Sequence, residues 1–288
     1  MTKISTRTPA ARFSPTRIAA LLVFFLGCDV LERPPLRPVQ EDAPRQPTDV
    51  AAEDPAEFEA VEPPGAPFEG AWEKRVAYFI RNQHVGNVHL TASALSSQSQ
   101  SVVYQVDHWL KVRRGTAAVI QRLSEQSSET ADGSLLGFQS SLHVGPAVTS
   151  LRGKVEDGLL KVQRLRGGDP AEEQLPWTTT SRGLVAVEQS LRRQPLQEGE
   201  TRRLRMPMML SAKYQMVTVR LQARGKASVP MLDGQSQTLL EIESRVQAGD
   251  QQIESVMWAN DDGHVLRTYA PAIQMFAYRV DEPTDEAL

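Results

Sequence analysis

Val217-Thr-Val-Arg-Leu-Gln-Ala223 sets an apolar side chain at every odd position and a polar one at every even position. A period of two is that of a β-strand with one face in a core and the other in water. The same alternation recurs on both sides of this stretch. Leu240, Ile242 and Val246 interleave with Glu241, Glu243 and Arg245, and Val102, Tyr104, Val106, Leu110 and Val112 line one face of an earlier strand. Turn signals separate the runs: Asn82-Gln83, Ala131-Asp132-Gly133, Glu156-Asp157-Gly158, Leu232-Asp233-Gly234 and Asp261-Asp262-Gly263. Asp-Gly pairs suit the positive φ angles of tight hairpins. The pattern predicts an all-β, mainly antiparallel fold, a large curved sheet or open barrel of about ten to twelve strands.

One segment breaks the period. Leu184, Ala186, Val187 and Leu191 fit a short helix near 182–193, with Ser181 as a cap before it and Pro195 as a stop after it. The helix divides two β runs, roughly 72–168 and 201–280, without any shift in composition. A single β-rich domain over 69–281 is therefore expected, followed by a disordered tail at 282–288. Two smaller β-domains are the alternative.

The first residues follow different rules. Lys3, Arg7, Arg12 and Arg17 precede an unbroken apolar run, Ile18 to Gly27. A basic segment before a short apolar core is the pattern of an export signal. Ten apolar residues rise only about 15 Å as a helix, half of a ~30 Å hydrocarbon core, so a spanning helix is not expected. The run ends in Phe25-Leu26-Gly27-Cys28, which resembles the bacterial lipobox. That resemblance implies a signal peptide over 1–27, cleavage before Cys28 and lipidation of its thiol, with Phe25 departing from the usual leucine. Asp29 resembles an inner-membrane retention signal.

Residues 29–68 hold nine prolines among Asp and Glu, with no apolar period. Such a stretch cannot bury enough surface to offset its ordering entropy. Residues 28–68 are therefore expected to form a lipid anchor followed by a disordered spacer. The first 27 residues take four of the 32 Lys+Arg and none of the 35 Asp+Glu, so the remainder carries 28 against 35, a net charge of −7. A negative domain lacks the phosphate-neutralising surface that nucleic-acid binding requires. Cys28 is the only cysteine, which excludes disulfides, thiolate metal sites and cysteine nucleophiles from the folded part.

Catalytic motifs are missing: there is no G-x-S-x-G, P-loop, G-x-G-x-x-G or H-E-x-x-H. The histidines at 84, 89, 108, 143 and 264 are scattered, and His84 and His89, five apart, would point to opposite faces of one strand. Asn260-Asp261-Asp262-Gly263 reads as a hairpin turn, since Tyr269 stands where a calcium loop needs a glutamate. No cofactor or metal is expected. His108 shares a strand face with Tyr104 and Val106 and precedes Trp109 on the other face. It reads as a core or rim histidine, with a pocket-lining role beside Tyr104 and Trp109 as the alternative. Arg202, Arg203 and Arg205 read as a solvated strand flank, with an anion or partner contact as the alternative.

Three segments, Trp72 to Gly86, Gly183 to Gly199 and Ile253 to Leu266, together resemble the β-rich accessory region of bacterial transglutaminase-like envelope proteins. They are similar also to DUF3108-type β-sheet domains. The resemblance implies an accessory domain without its catalytic core, because the cysteine that such a core needs is spent at Cys28.

The expectation is a non-catalytic, membrane-tethered envelope lipoprotein whose β-domain binds a partner or serves as a scaffold. One alternative is a carrier of an apolar or lipid ligand held in a curved-sheet cavity. Another is a hydrolase using carboxylates and His108. A continuous apolar cavity between sheet and helix distinguishes the carrier.

Overall fold

A computed structural model describes residues 70–94, 101–114, 117–210 and 212–281. The expected signal peptide, Cys28, the spacer and the tail at 282–288 lie outside the described residues.

The described chain is a single fourteen-stranded antiparallel sheet with one short helix. The first meander comprises β1 (Trp72–Ile80), β2 (Gln83–Ala94), β3 (Ser101–Arg114), β4 (Ala117–Thr130), β5 (Leu135–Val144), β6 (Ala147–Glu156), β7 (Leu159–Arg166) and β8 (Glu172–Pro176). After the helix α1 (Ala186–Arg193) come β9 (Thr201–Leu210), β10 (Lys213–Pro230), β11 (Ser236–Ala248), β12 (Gln251–Ala259), β13 (Val265–Ala270) and β14 (Met275–Val280). Within each meander every strand pairs with its neighbour in sequence, and β1 pairs with β14 to join the two meanders. The edges are thus β8 and β9, and the sheet curls without closing.

The opening stretch behaves as its period requires: Val217, Val219, Leu221 and Ala223 are all buried along β10. Hairpins form where the turn chemistry allows. Asp157 and Gly158, at φ 54° and 71°, make the two-residue link between β6 and β7, a geometry that matches strand twist. The sheet has more strands than the ten to twelve expected. A 3-10 turn at Pro271–Ile273 divides the last run into β13 and β14, a break too short to disturb the hydrophobic period.

The helix also begins later than expected, at Ala186. Val185 occupies the N-cap position without a side-chain hydrogen bond, whereas Ser181 is engaged elsewhere. Its hydroxyl accepts from the Thr178 amide at 3.2 Å, and its backbone bridges to Arg205 of β9.

This crossing segment spans from one sheet edge to the other and packs on the concave face. Beside it, the apolar side chains gather in three clusters. One joins α1 to β9–β14 through Leu191, Met206, Val219 and Ile242. A second joins β4–β7 to Met209 and Tyr214, with the Phe138 and Tyr214 rings 4.2 Å apart. The third holds Leu90, Ala92, Val102 and Tyr104 under Trp72 and Val185.

Candidate functional site

Between these clusters the concave face is not filled. A cavity of about 270 Å³ lies between the sheet and the Leu184–Glu188 segment, close to the lower end of the ~300–1,000 Å³ typical of ligand sites. Both meanders supply its wall by the period-two rule: Val76 and Tyr78 from β1, Val106 and His108 from β3, Met206 and Met208 from β9, Met257 from β12. Unbranched methionines give such a wall shape tolerance.

Beside the hydroxyls of Ser244, Ser255 and Thr268, titratable groups enter this wall at three places. His108 is 7% exposed and its Nε2 has no hydrogen-bond partner; its ring meets Tyr78 edge-on at 5.3 Å. Burial lowers its pKa to about 4, so it is neutral at pH 7. Glu125 sits one inward position along β4 from Leu123, the partner of His108. Its carboxyl accepts a hydrogen bond from the Tyr214 hydroxyl at 2.5 Å, and burial pushes its pKa up. Under the helix, Lys74 Nζ contacts Glu188 Oε2 at 2.5 Å, both side chains being 11% exposed. Glu188 Oε1 is buried with no partner.

The helix is held over the cavity by a second set of contacts. Glu129, on β4 and fully buried, accepts from Ser127 Oγ at 3.0 Å, from the Leu184 amide at 3.0 Å and from Gln189 Nε2 at 2.5 Å. Burial outweighs these donors and raises its pKa to about 7. Arg193 donates to the Ala131 carbonyl at 2.6 Å, and the Arg192 guanidinium lies 4.0 Å from the Trp72 ring centre. Arg202 closes the C-terminal end, donating to the carbonyls of Ser190 at 2.9 Å and Gln194 at 2.7 Å. An eight-residue helix is unstable alone, so these tertiary contacts define it.

Of the candidate site residues read from the sequence, His108, Tyr104 and Trp109, His108 alone lines the cavity. Tyr104 points to the same side but is buried in the neighbouring cluster, its ring 6.1 Å from Trp72. Trp109 is on the outer face, edge-on to His84 at 5.7 Å. His84 and His89 share that outer face, contrary to the opposite faces expected. A bulge where Tyr78/Phe79 pair with Gly86/His84 shifts the alternation by one residue. The two rings are nevertheless separately engaged, His84 with Asn87 and His89 with Glu73. Arg202 is a buried helix cap rather than a solvated flank. In the 260–263 turn, Asn260 Oδ1 accepts from the His264 amide at 2.9 Å. Among the described residues, no group of three or more His, Cys, Asp or Glu is placed to hold a metal ion, and no helix is long and apolar enough to cross a membrane.

Glu125 and Glu129 escaped the sequence reading because β4 shows no alternation of its own. Its inward positions, Gln121, Leu123, Glu125, Ser127 and Glu129, are mostly polar. The signal lay in the partner strand: pairing across β3 sets Glu125 opposite Val106 and Glu129 opposite Val102, both on the apolar face.

No family model matches the chain, and no curated protein matches its sequence. The resemblance to transglutaminase-accessory and DUF3108-type domains therefore gains no support from them. Among solved structures, a β-barrel-like protein of the DUF1849 domain of unknown function, from Brucella abortus, aligns with TM-score 0.52 at 10% identity, covering 72% of this chain and 94% of that one. At that identity the likeness concerns the fold: a curled, β-barrel-like antiparallel sheet. A DUF1089-family protein from Pseudomonas aeruginosa aligns at 14% identity over 80% of this chain and 98% of its own, with TM-score 0.34. An exported-protein candidate with a YmcC-like fold from Bacteroides fragilis aligns at 8% identity over 74% and 95%, with TM-score 0.27.

Proposed function

We propose that this protein is a non-catalytic envelope lipoprotein, tethered to the membrane through Cys28, whose β-domain binds an apolar ligand in the cavity beneath α1. The observation that favours ligand binding over a purely scaffolding role is the cavity itself. Protein interiors are packed with few voids larger than a water molecule, yet here a cavity of about 270 Å³ lies in the concave face. Valine and methionine dominate its wall, a surface suited to hydrocarbon. The hydrolase reading is disfavoured by His108: its Nε2 lacks a carboxylate partner, and burial leaves its ring a weak base.

Filling the space tests this reading. Ala277 is buried on β14 and lines the cavity. Ala277→Phe is expected to weaken binding of a fluorescent apolar probe at least about tenfold, while overpacking costs ~1–3 kcal/mol of stability. Val88→Phe, from the opposite side of β1, provides a second blocking variant should the first fail to fold. Unchanged probe binding in a folded variant rules out the cavity as the site.

The anchor has its own test. Mass spectrometry of the mature protein is expected to find Cys28 as an acylated N-terminal residue, with the acylated species lost in Cys28→Ala. An unacylated start at any other position removes the lipoprotein assignment.

A further inference from the structure

The cavity wall constrains the head of a ligand more tightly than its tail. The residues lining it that can bear full charge near neutral pH are Lys74, Glu125, Glu188 and His108. Lys74 is committed to Glu188 at 2.5 Å. Glu125 accepts a hydrogen bond from the Tyr214 hydroxyl, and burial raises its pKa, in the direction of the uncharged form. His108 is kept neutral by burial. Among the described lining residues, then, no uncommitted positive charge awaits an anionic head. Two buried polar atoms do lack partners: His108 Nε2 and Glu188 Oε1. Buried polar groups are nearly always hydrogen-bonded, and both of these belong to side chains that line the cavity.

A carboxylate or phosphate head answers neither atom well. Its negative charge would lie against the Glu188 carboxylate, and the one cation among the described lining residues, Lys74, is already paired with that carboxylate. A hydroxyl has both a donor and an acceptor. It can donate to Glu188 Oε1, and it can meet His108 Nε2 in either sense, whichever tautomer is present. The modest volume admits a single chain.

We propose that the cavity selects an uncharged, single-chain amphiphile with a hydroxyl head, a long-chain alcohol or monoacylglycerol, held by His108 Nε2. This rests on the reading that the cavity binds an apolar ligand. His108 acts as the specificity-determining contact, and the valine and methionine wall receives the chain without discriminating among tails.

The test uses the purified full-length chain and displacement of a fluorescent apolar probe by 1-dodecanol, laurate and dodecyl phosphate. At about pH 7.5, where laurate is ionised, dodecanol is expected to bind about tenfold or more tightly than either anion. His108→Leu should erase most of that preference, and His108→Gln, which keeps a donor and an acceptor, should restore it. A purely structural role for His108 would weaken all three ligands alike. Laurate or dodecyl phosphate binding as tightly as dodecanol, or a preference that survives His108→Leu, overturns the inference and leaves the cavity assignment standing. Failure of the probe and of all three compounds to bind overturns both.

Discussion

Glu129→Ala is expected to lower the unfolding free energy by ~3–5 kcal/mol at about pH 5, the range for stripping partners from a buried hydrogen-bonded group. The reason is local. Ser127, the Leu184 amide and Gln189 all donate to this carboxyl in a site fully closed to water. Removal leaves three buried donors and an empty space where the helix segment meets β4. Glu129→Gln keeps the shape and an acceptor, and Gln189 can turn its amide to answer it, so its cost should be smaller. Urea denaturation of the three proteins checks the order. A loss below ~1 kcal/mol in Glu129→Ala would show that the contact does not hold the helix.

The same residue predicts a pH dependence with a definite sign. The folded pKa of Glu129 is raised from 4.5 to about 7. A raised carboxyl pKa means the folded state binds the proton more tightly than the unfolded state. Its stabilising contribution is therefore complete below pH 4.5 and is lost as pH rises through about 7. The difference in stability between wild type and Glu129→Gln should shrink across that window, by up to ~3 kcal/mol. Glu125, also raised by burial, acts with the same sign. His108 opposes them: lowered from 6.5 to about 4, it costs stability as pH falls below 6.5. The difference between the two proteins isolates Glu129 from those neighbours. Tyr104 and Arg193, which face it, are common to both. A constant difference across the window would mean that the carboxyl stays ionised in the fold.

Gly263→Ala carries the second large effect. Gly263 has φ +75°, and a Cβ built there would stand 1.9 Å from the Leu191 carbonyl oxygen in the last turn of α1. Backbone cannot yield as a side-chain end can, so the β12–β13 turn and the helix must separate. Strained left-handed backbone costs ~1–2 kcal/mol, and the clash adds displacement of α1. A total loss of ~3 kcal/mol is expected, with faster amide exchange over 186–193. Gly234→Ala is the control. Its φ of +80° carries the same backbone strain, but nothing lies within 4 Å of its added Cβ, so it should lose ~1 kcal/mol and leave the helix protected. Equal effects from the two substitutions would show that the contact with Leu191 is unimportant.

The fold was legible from residues whose environment is set by their own strand. Val217, Val219, Leu221 and Ala223 face inward because their neighbours in sequence are polar, and Asp157-Gly158 turns the chain because those two residues tolerate positive φ. The site was much less legible. His108 could be assigned to the inner face from Tyr104 and Val106, but Tyr104 and Trp109 do not join it at the cavity. Glu125 and Glu129 gave no sign within β4, whose inward side is mostly polar. The bulge in β2 reversed the relation of His84 and His89, because a single unpaired residue changes the parity of everything beyond it.

By itself, then, the amino-acid sequence determined the all-β character, the turn positions and the place of the single helix. These are local properties, set by periods and dihedral preferences spanning a few residues. Only the tertiary structure decided that β1 pairs with β14, that the sheet curls without closing, and that α1 lies over a space it does not fill. It also decided that Arg202 caps that helix and that Glu129 holds it. Such features depend on distances between residues far apart in the chain, from Lys74 to Glu188 or from Glu129 to Gln189. Whether side chains meet or leave a void there is settled by the curvature of the whole sheet, which no local pattern encodes.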